Sequence, residues 1–246
     1  MRRLVAALAC RAKGSRLYGK PLQLLDVEHG VSVLDHLVAL LRTESAIAEI
    51  VLGVSVGVEN DIFHDVATQH GIRSIRGNEH DVLYRLIQCG EAAGATDVFR
   101  VTTESPFTFV EPLGDAWKRH VEGGHDVTVI DGVPEGTHFE IYTLDALRKS
   151  HARGDERHRS ELCSLYVREH RDEFDVVVFP VPDGVKRMDL RLTIDYPEDL
   201  VLCRRVYEAL ADQAPRLPLS AIIRLLDSRP DLCALVAPYV VQECLY

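Results

Sequence analysis

An apolar run over residues 4–9 (LVAALA) empties directly into a loop that carries Arg11, Lys13, Arg16 and Lys20 around Gly14 and Gly19. No feature constrains this chain more. A strand that discharges at its carboxyl end into a glycine-containing, cation-rich turn is the way α/β proteins take hold of phosphates. The rest of the chain is acidic, with a formal net charge of −10. A cationic turn on an acidic protein points to a small anionic ligand. It argues against nucleic acid, whose phosphate backbone rewards a broad basic face.

The chain has 246 residues, enough for a full hydrophobic core. Its longest apolar runs are far too short to span a bilayer, so no membrane partner is expected. Six cysteines are scattered without C-x-x-C spacing, which suggests neither a zinc site nor a disulfide framework. Several fall on apolar positions of predicted helices, where a thiol acts as a small hydrophobe, and this pattern suits a reducing cytoplasm.

Strand-like and helix-like patterns alternate over the first 130 residues. Residues 49–55 (EIVLGVS) and 97–102 (DVFRVT) read as buried strands, with amphipathic helices near 31–44, 60–70 and 80–93. The third helix is expected to open at Asn78 or a neighbouring polar residue, with Asp81 and Arg85 at the spacing of a helical ion pair. Such alternation predicts an α/β fold, a mixed but mainly parallel sheet with helices on both faces, and a ligand at the carboxyl ends of the strands. Further strands are expected at 126–130, 138–142, 174–181 and 189–194, and helices at 143–152 and 159–170. Pro197 is placed to start a helix running to about residue 212. The tail reads as two short helices broken at Pro230. The expected organisation is therefore a domain over 1–212 and a helical extension over 213–246 packed on it.

The loop is neither a Walker A motif nor a Rossmann fingerprint, since no Gly-Lys-Ser/Thr and no G-x-G-x-x-G is present there. Its pattern, Arg11-x-x-x-x-Arg16-Leu17-x-Gly19-Lys20-Pro21-Leu22, resembles the signature loop of bacterial cytidylyltransferases. These enzymes make CMP-activated 3-deoxy-manno-octulosonate and sialic acids, and the resemblance is strongest to the spore-coat polysaccharide (SpsF-like) branch. Four more segments follow in order. Residues 76–83 (RGNEHDVL) resemble R-G-S-E-x-D-V-L, and 100–106 (RVTTESP) resemble R-x-T-G-D-x-P. Pro134-Glu135-Gly136 with Glu140 resembles P-D-G and its following glutamate, and 189–200 (DLRLTIDYPEDL) is near-identical to D-x-R-L-T-V-D-x-P-E-D-L.

The resemblance implies a Rossmann-like nucleotide-diphospho-sugar transferase fold and Mg²⁺-dependent transfer of CMP from CTP, with release of pyrophosphate. Arg11, Arg16 and Lys20 are then expected to hold the triphosphate and offset charge on the departing pyrophosphate. The nucleotide is expected to touch Ala9, Lys13, Gly14, Ser15, Arg76, Asp81, Arg85 and Thr103 as well. Carboxylates at Glu104 and Asp195 would hold Mg²⁺, which prefers one or two carboxylates plus substrate phosphates. Glu140, His138 and Arg191 are expected on the side facing an anionic acceptor, an acidic sugar or a phosphorylated metabolite used in surface-glycan or related biosynthesis. The resemblance also implies a cytoplasmic homodimer.

The chain departs from the family pattern in four places. Lys13 stands where the family has a small residue, and Glu104 where it has an aspartate. His138 stands where the branch often has an aspartate, and Ser160 and Leu162 fall in its R-E-H region, although Glu161 and Tyr166 persist. These differences leave two alternatives. One is a guanylyl- or uridylyltransferase acting on a sugar 1-phosphate, and the other is a nucleotide-binding regulatory protein without activity.

Overall fold

Strand β1 (Leu4–Cys10) is buried except at Ala9 because it runs through the centre of the sheet and has apolar side chains on both faces. The two-residue period of a strand divides them: Leu4, Ala6, Leu8 and Cys10 join one hydrophobic cluster, and Val5 and Ala7 join the other. The computed structural model describes residues 2–14, 16–242, 244 and 246. Ser15, expected in the phosphate loop, lies outside the described residues.

The elements after β1 are β2 (Leu24–Asp26), β3 (Val31–Ser32), α1 (Val33–Leu41), β4 (Ile47–Ser55), α2 (Ile62–Gln69), β5 (Arg73–Gly77), α3 (Val82–Ala92) and β6 (Asp97–Arg100). They continue with α4 (Leu113–Gly123), β7 (Val127–Val129), β8 (Glu140–Thr143), α5 (Leu144–Arg153), α6 (Glu156–Arg159), α7 (Leu165–Glu169) and β9 (Val176–Val178). Helices α8 (Pro197–Ala209), α9 (Leu219–Ser228) and α10 (Pro230–Val236) complete the described order.

Seven strands form one sheet in the order β5-β4-β1-β6-β8-β7-β9. The β5-β4-β1-β6 half is parallel, β8 runs antiparallel to both β6 and β7, and β9 returns parallel to β7. Helices α1, α2, α4 and α8 pack on one face, and α3, α5 and α7 on the other. The expected mixed, mainly parallel sheet with helices on both faces is therefore present. From the 213–246 segment, Leu217, Leu219, Ile222, Leu226 and Leu232 enter the same cluster as β1, so this segment shares the main core.

Local chemistry sets several boundaries. Ser32 and Asp35 form a reciprocal capping box at the start of α1. Asp81, not Asn78, caps α3 by accepting from Tyr84 N at 2.9 Å. Its carboxylate also meets His151 Nε2 at 2.8 Å, so the expected Asp81–Arg85 pair does not form.

Two other expectations change. The predicted helix at 159–170 is split into α6 and α7. The predicted strand at 189–194 is irregular chain, tied to the sheet region by a single bridge from Arg191 to Glu135. The alternation there reflects burial of Leu190, Leu192 and Ile194 in the core, without a ladder partner on either side. Helix α8 ends at Ala209, and a 3₁₀ turn (Ala211–Gln213) completes the stretch predicted as helix.

Candidate active site

Beyond Cys10 the chain folds back on itself: Gly19 N donates to Ala12 O at 2.7 Å and closes the loop. Ala12 N is held by Asn60 Oδ1 at 2.7 Å, which fixes the loop to the end of β4. Gly14 is needed for the closure, because a Cβ there would lie 2.3 Å from Leu17 O. The loop forms one side of a pocket at the carboxyl ends of β1 and β6, the position expected for a ligand in a parallel sheet.

Ala9, Arg11, Lys13, Gly14, Arg16 and Lys20 all line this pocket, as do Arg85, Thr103, Glu104 and Asp195. The structure therefore brings together the loop cations and both candidate metal carboxylates. Five of the expected residues sit elsewhere, Glu140 and His138 behind the wall and three more around it. Arg76 is half-exposed and pairs with Asp61 at 2.8 Å, away from the pocket wall. Asp81 lines an adjoining depression with Asn78 and Glu161. Arg191, expected at the acceptor, lies behind Asp195.

Every loop cation has a carboxylate partner. Lys20 Nζ reaches Asp195 Oδ1 at 2.5 Å, and Arg16 Nη2 reaches the same oxygen at 3.3 Å. Arg11 pairs with Glu161 at 2.8 Å and Lys13 with Glu59 at 3.0 Å. Arg16 also lies over the Tyr196 ring, 4.9 Å from its centroid, and Tyr196 in turn stacks on Tyr239 at 3.9 Å. The chain beyond α10 therefore reaches the phosphate loop through two aromatic rings.

Glu104 and Asp195 become neighbours through the main chain: Ile194 N donates to Glu104 O at 2.9 Å. Burial raises the Glu104 carboxyl above its ordinary range; Lys20 opposes the rise and the charge of Asp195 adds to it. Burial acts on Asp195 in the same direction, but the Lys20 ammonium, with Arg16 and Arg191, overrules it and holds that carboxyl below its ordinary range. Burial wins at Glu104 and the cationic partners win at Asp195, so the two adjacent carboxyls are driven apart in acidity.

Arg191 explains how Asp195 is aimed. Its guanidinium makes a forked contact to Asp199 at 2.8 and 3.0 Å and meets Asp195 Oδ2 at 2.9 Å and Glu135 Oε1 at 2.6 Å. With all these acceptors around it and only 3% of the side chain exposed, it has nothing left for an acceptor substrate. The Asp199 carboxylate in addition accepts from Asp195 N and Tyr196 N, at 2.8 and 2.9 Å. Asp199 thus sits at the third position of α8 and holds the N-cap residue Tyr196.

Glu140 is buried and bound to Arg100 at 2.7 Å and to the Tyr246 hydroxyl at 2.8 Å. Burial would raise its carboxyl, but Arg100 dominates and lowers it. Burial lowers the neighbouring His138 imidazole. Neither residue reaches the pocket wall; Arg100 does, and it carries the charge of this cluster to the wall. Arg100, Glu161 and Tyr196 were absent from the expected site. Arg100 opens the RVTTESP segment, which was the available signal for it.

No protein-family model matches the chain. The spore coat polysaccharide biosynthesis protein SpsF of Bacillus subtilis is 28% identical over 237 residues, spanning 94% of this chain and 97% of the relative. A cytidylyltransferase from Leptospira borgpetersenii superimposes over 95% of this chain and 97% of its own, with a TM-score of 0.86 at 18% identity. The chain is similar to SpsF along its length and has the fold of a cytidylyltransferase. A CMP:2-keto-3-deoxy-manno-octonic acid synthetase, solved with CTP, shares the fold over 84% of this chain with a TM-score of 0.65 at 14% identity. An uncharacterised protein of Methanocaldococcus jannaschii is 23% identical over 94% of this chain. The chain thus has a Rossmann-like nucleotidyltransferase fold and is related in sequence to a polysaccharide-biosynthesis protein. Lys13 and Glu104, where the sequence was expected to depart from the family pattern, both line the pocket.

Proposed function

We propose that the protein transfers CMP from CTP to an anionic acceptor and releases pyrophosphate. One observation carries the reading: a single pocket holds four loop cations and, beside them, Glu104 and Asp195. An acceptor oxygen attacks the α-phosphorus, and the bond to the oxygen that bridges to the β-phosphorus breaks. Such a transfer needs alignment and charge neutralisation more than covalent help. Arg11, Arg16 and Lys20 bind the β- and γ-phosphates and offset charge on the leaving pyrophosphate. To do so they exchange Glu161 and Asp195 for phosphate oxygens, so the ion pairs of the free protein mark the binding positions.

The carboxylates suit Mg²⁺. Glu104 has one weak side-chain partner, Thr103 Oγ1 at 3.5 Å, and burial beside Asp195 makes its charge costly, a cost that a divalent cation relieves. No group of three or more His, Cys, Asp or Glu side chains is placed to hold a metal among the described residues. The two carboxylates would therefore share the ion with phosphate and water, as Mg²⁺ prefers. When bound, the ion would polarise the α-phosphate oxygens.

Arg100, at the pocket wall, is the cation available to an anionic acceptor, an acidic sugar or a phosphorylated metabolite; Glu140 and His138 lie behind it. No helix among the described residues is long and apolar enough to cross a membrane. The proposal includes a cytoplasmic homodimer, which sedimentation of the purified chain would test. Pyrophosphate release, measured with four nucleoside triphosphates against acidic 2-keto sugars and sugar phosphates, tests the activity. Release with CTP supports the reading. Release with GTP or UTP alone overturns the cytidylyl assignment, and CTP binding without turnover points to a regulatory protein.

A further inference from the structure

Arg100 and Glu140 stand opposite each other in the antiparallel pair of β6 and β8, yet they meet through one contact only, Nη1 to Oε2 at 2.7 Å. An arginine and a carboxylate at this range commonly pair through two parallel hydrogen bonds. The chain does so elsewhere: Arg191 forks onto Asp199, Arg187 onto Asp189 and Arg229 onto Asp231. At Glu140 the second oxygen is already taken. Its Oε1 accepts the Tyr246 hydroxyl at 2.8 Å.

Tyr246 is held in place for that contact. Its main-chain N donates to Asp131 Oδ2 at 2.7 Å, and its ring packs against the hydrophobic cluster that contains Val5 and Ala7. Tyr142 lies two residues from Glu140 on the same face of β8, and its hydroxyl is 2.9 Å from the Tyr246 oxygen. The Tyr246 proton goes to Glu140, so Tyr142 is the donor in that second contact. A chain of donors thus runs from Tyr142 through Tyr246 to the carboxylate, each bond polarising the next. Glu140 is buried, so these partners decide how its two oxygens are shared.

The sharing leaves Arg100 half committed. Its Nη2 lies toward Glu161, whose carbonyl oxygen it meets at 3.4 Å, and both residues line the pocket. With Oε1 free, a fork would draw both Nη atoms into the strand pair and away from the wall.

We infer that Tyr246 is a positioning residue for the acceptor: by occupying Glu140 Oε1 it restricts Arg100 to a single contact and leaves Nη2 at the wall for an anionic group. This rests on the transferase reading above, in which Arg100 meets the acceptor, and adds the residue that keeps that cation available. Tyr246 is not part of the pocket wall and acts through Glu140.

The test compares wild type, Tyr246→Phe, Glu140→Gln and the double variant in two measurements. The first needs no substrate: phenylglyoxal, an arginine-selective dicarbonyl, is followed at Arg100 by peptide mass mapping. Tyr246→Phe should slow modification of Arg100 about fivefold or more, because the fork then engages both Nη atoms, and should leave Arg11 unchanged. The second is steady-state pyrophosphate release with CTP and an acidic 2-keto sugar or a sugar phosphate, whichever supports release. Tyr246→Phe should raise the acceptor KM about tenfold, the loss of one charge-assisted hydrogen bond, and move the CTP KM by less than about threefold. In Glu140→Gln no carboxylate remains to close on Arg100, so adding Tyr246→Phe should leave both readouts where the single variant has them. Unchanged Arg100 reactivity, an equal rise in both KM values, or a full Tyr246→Phe effect persisting beside Glu140→Gln overturns the inference. A wild type that releases no pyrophosphate with any acceptor overturns the transferase reading, and Arg100 reactivity still decides what Tyr246 does.

Discussion

Lys20 Nζ donates to Asp195 Oδ1 across 2.5 Å, joining the phosphate loop to a carboxylate 175 residues further along the chain. Both groups are mostly shielded from solvent, so the contact is stronger than a surface pair. It also places the proposed triphosphate and metal sides of the pocket under one charge. Lys20→Ala is expected to raise the KM for the nucleoside triphosphate about 10- to 100-fold, the loss of one charge-assisted hydrogen bond. The KM for the acceptor should not move. Steady-state pyrophosphate release reads both, and an unchanged nucleotide KM would place the phosphates elsewhere.

Glu104→Ala is expected to abolish turnover without lowering the melting temperature. The pH dependence of metal binding gives a second readout. The folded-state pKa of Glu104 is raised above the ordinary 4.5, so in the window above 4.5 the native state holds a proton that the unfolded chain has released. The metal-free fold therefore loses stability from this group as pH rises through that window. Mg²⁺ needs the deprotonated carboxylate, so its stabilising effect should grow over the same rise. Thermal shifts with and without Mg²⁺ across pH 4.5 to 8 check this, and the trend should vanish in Glu104→Ala.

Arg191→Met should destabilise the fold by about 3–5 kcal/mol, because it strands the carboxylates of Asp199, Asp195 and Glu135 together. Arg191→Lys should recover only part of the loss, since an ammonium cannot reproduce the forked contact to Asp199. Urea unfolding of both variants decides the point. Equal stability for the lysine variant would show that charge alone matters there.

His36 on α1 is 2% exposed, wedged edge-on between Phe107 and Tyr207, and its Nε2 has no partner. Burial lowers its pKa to about 4 from 6.5. The unfolded chain therefore takes up a proton below pH 6.5 that the native state refuses, and stability falls as pH drops from 6.5 toward 4. The full loss is roughly 3 kcal/mol at 1.36 kcal/mol per pKa unit. Urea unfolding at pH 7 and pH 4.5 should show a smaller drop for His36→Phe than for wild type.

Local patterns carried much of this protein. The apolar period of β1, the amphipathic spacing of α1 to α3 and the proline that starts α8 are readable because each depends on neighbours within a few residues. The loop cations were legible for the same reason, as were the segments around residues 76–83, 100–106 and 189–200. Strand β5 escaped notice because an edge strand spelled RSIRG has few apolar residues to alternate. The 189–194 segment misled because burial on one side produces the same alternation in irregular chain as in a strand.

The sequence by itself determined that a central strand delivers four cations to the carboxyl end of a parallel sheet. Tertiary structure alone decided which carboxylate each cation meets. It turned Arg191 from a candidate acceptor ligand into the support of Asp195, and it left Arg85 Nε and Nη1 without a hydrogen-bond partner among the described residues. Those outcomes depend on contacts such as Lys20 with Asp195 and Arg100 with Glu140, made between distant parts of the chain. Charge pairing is set by distance in space and by burial, and neither is written in the spacing of residues along a strand or helix.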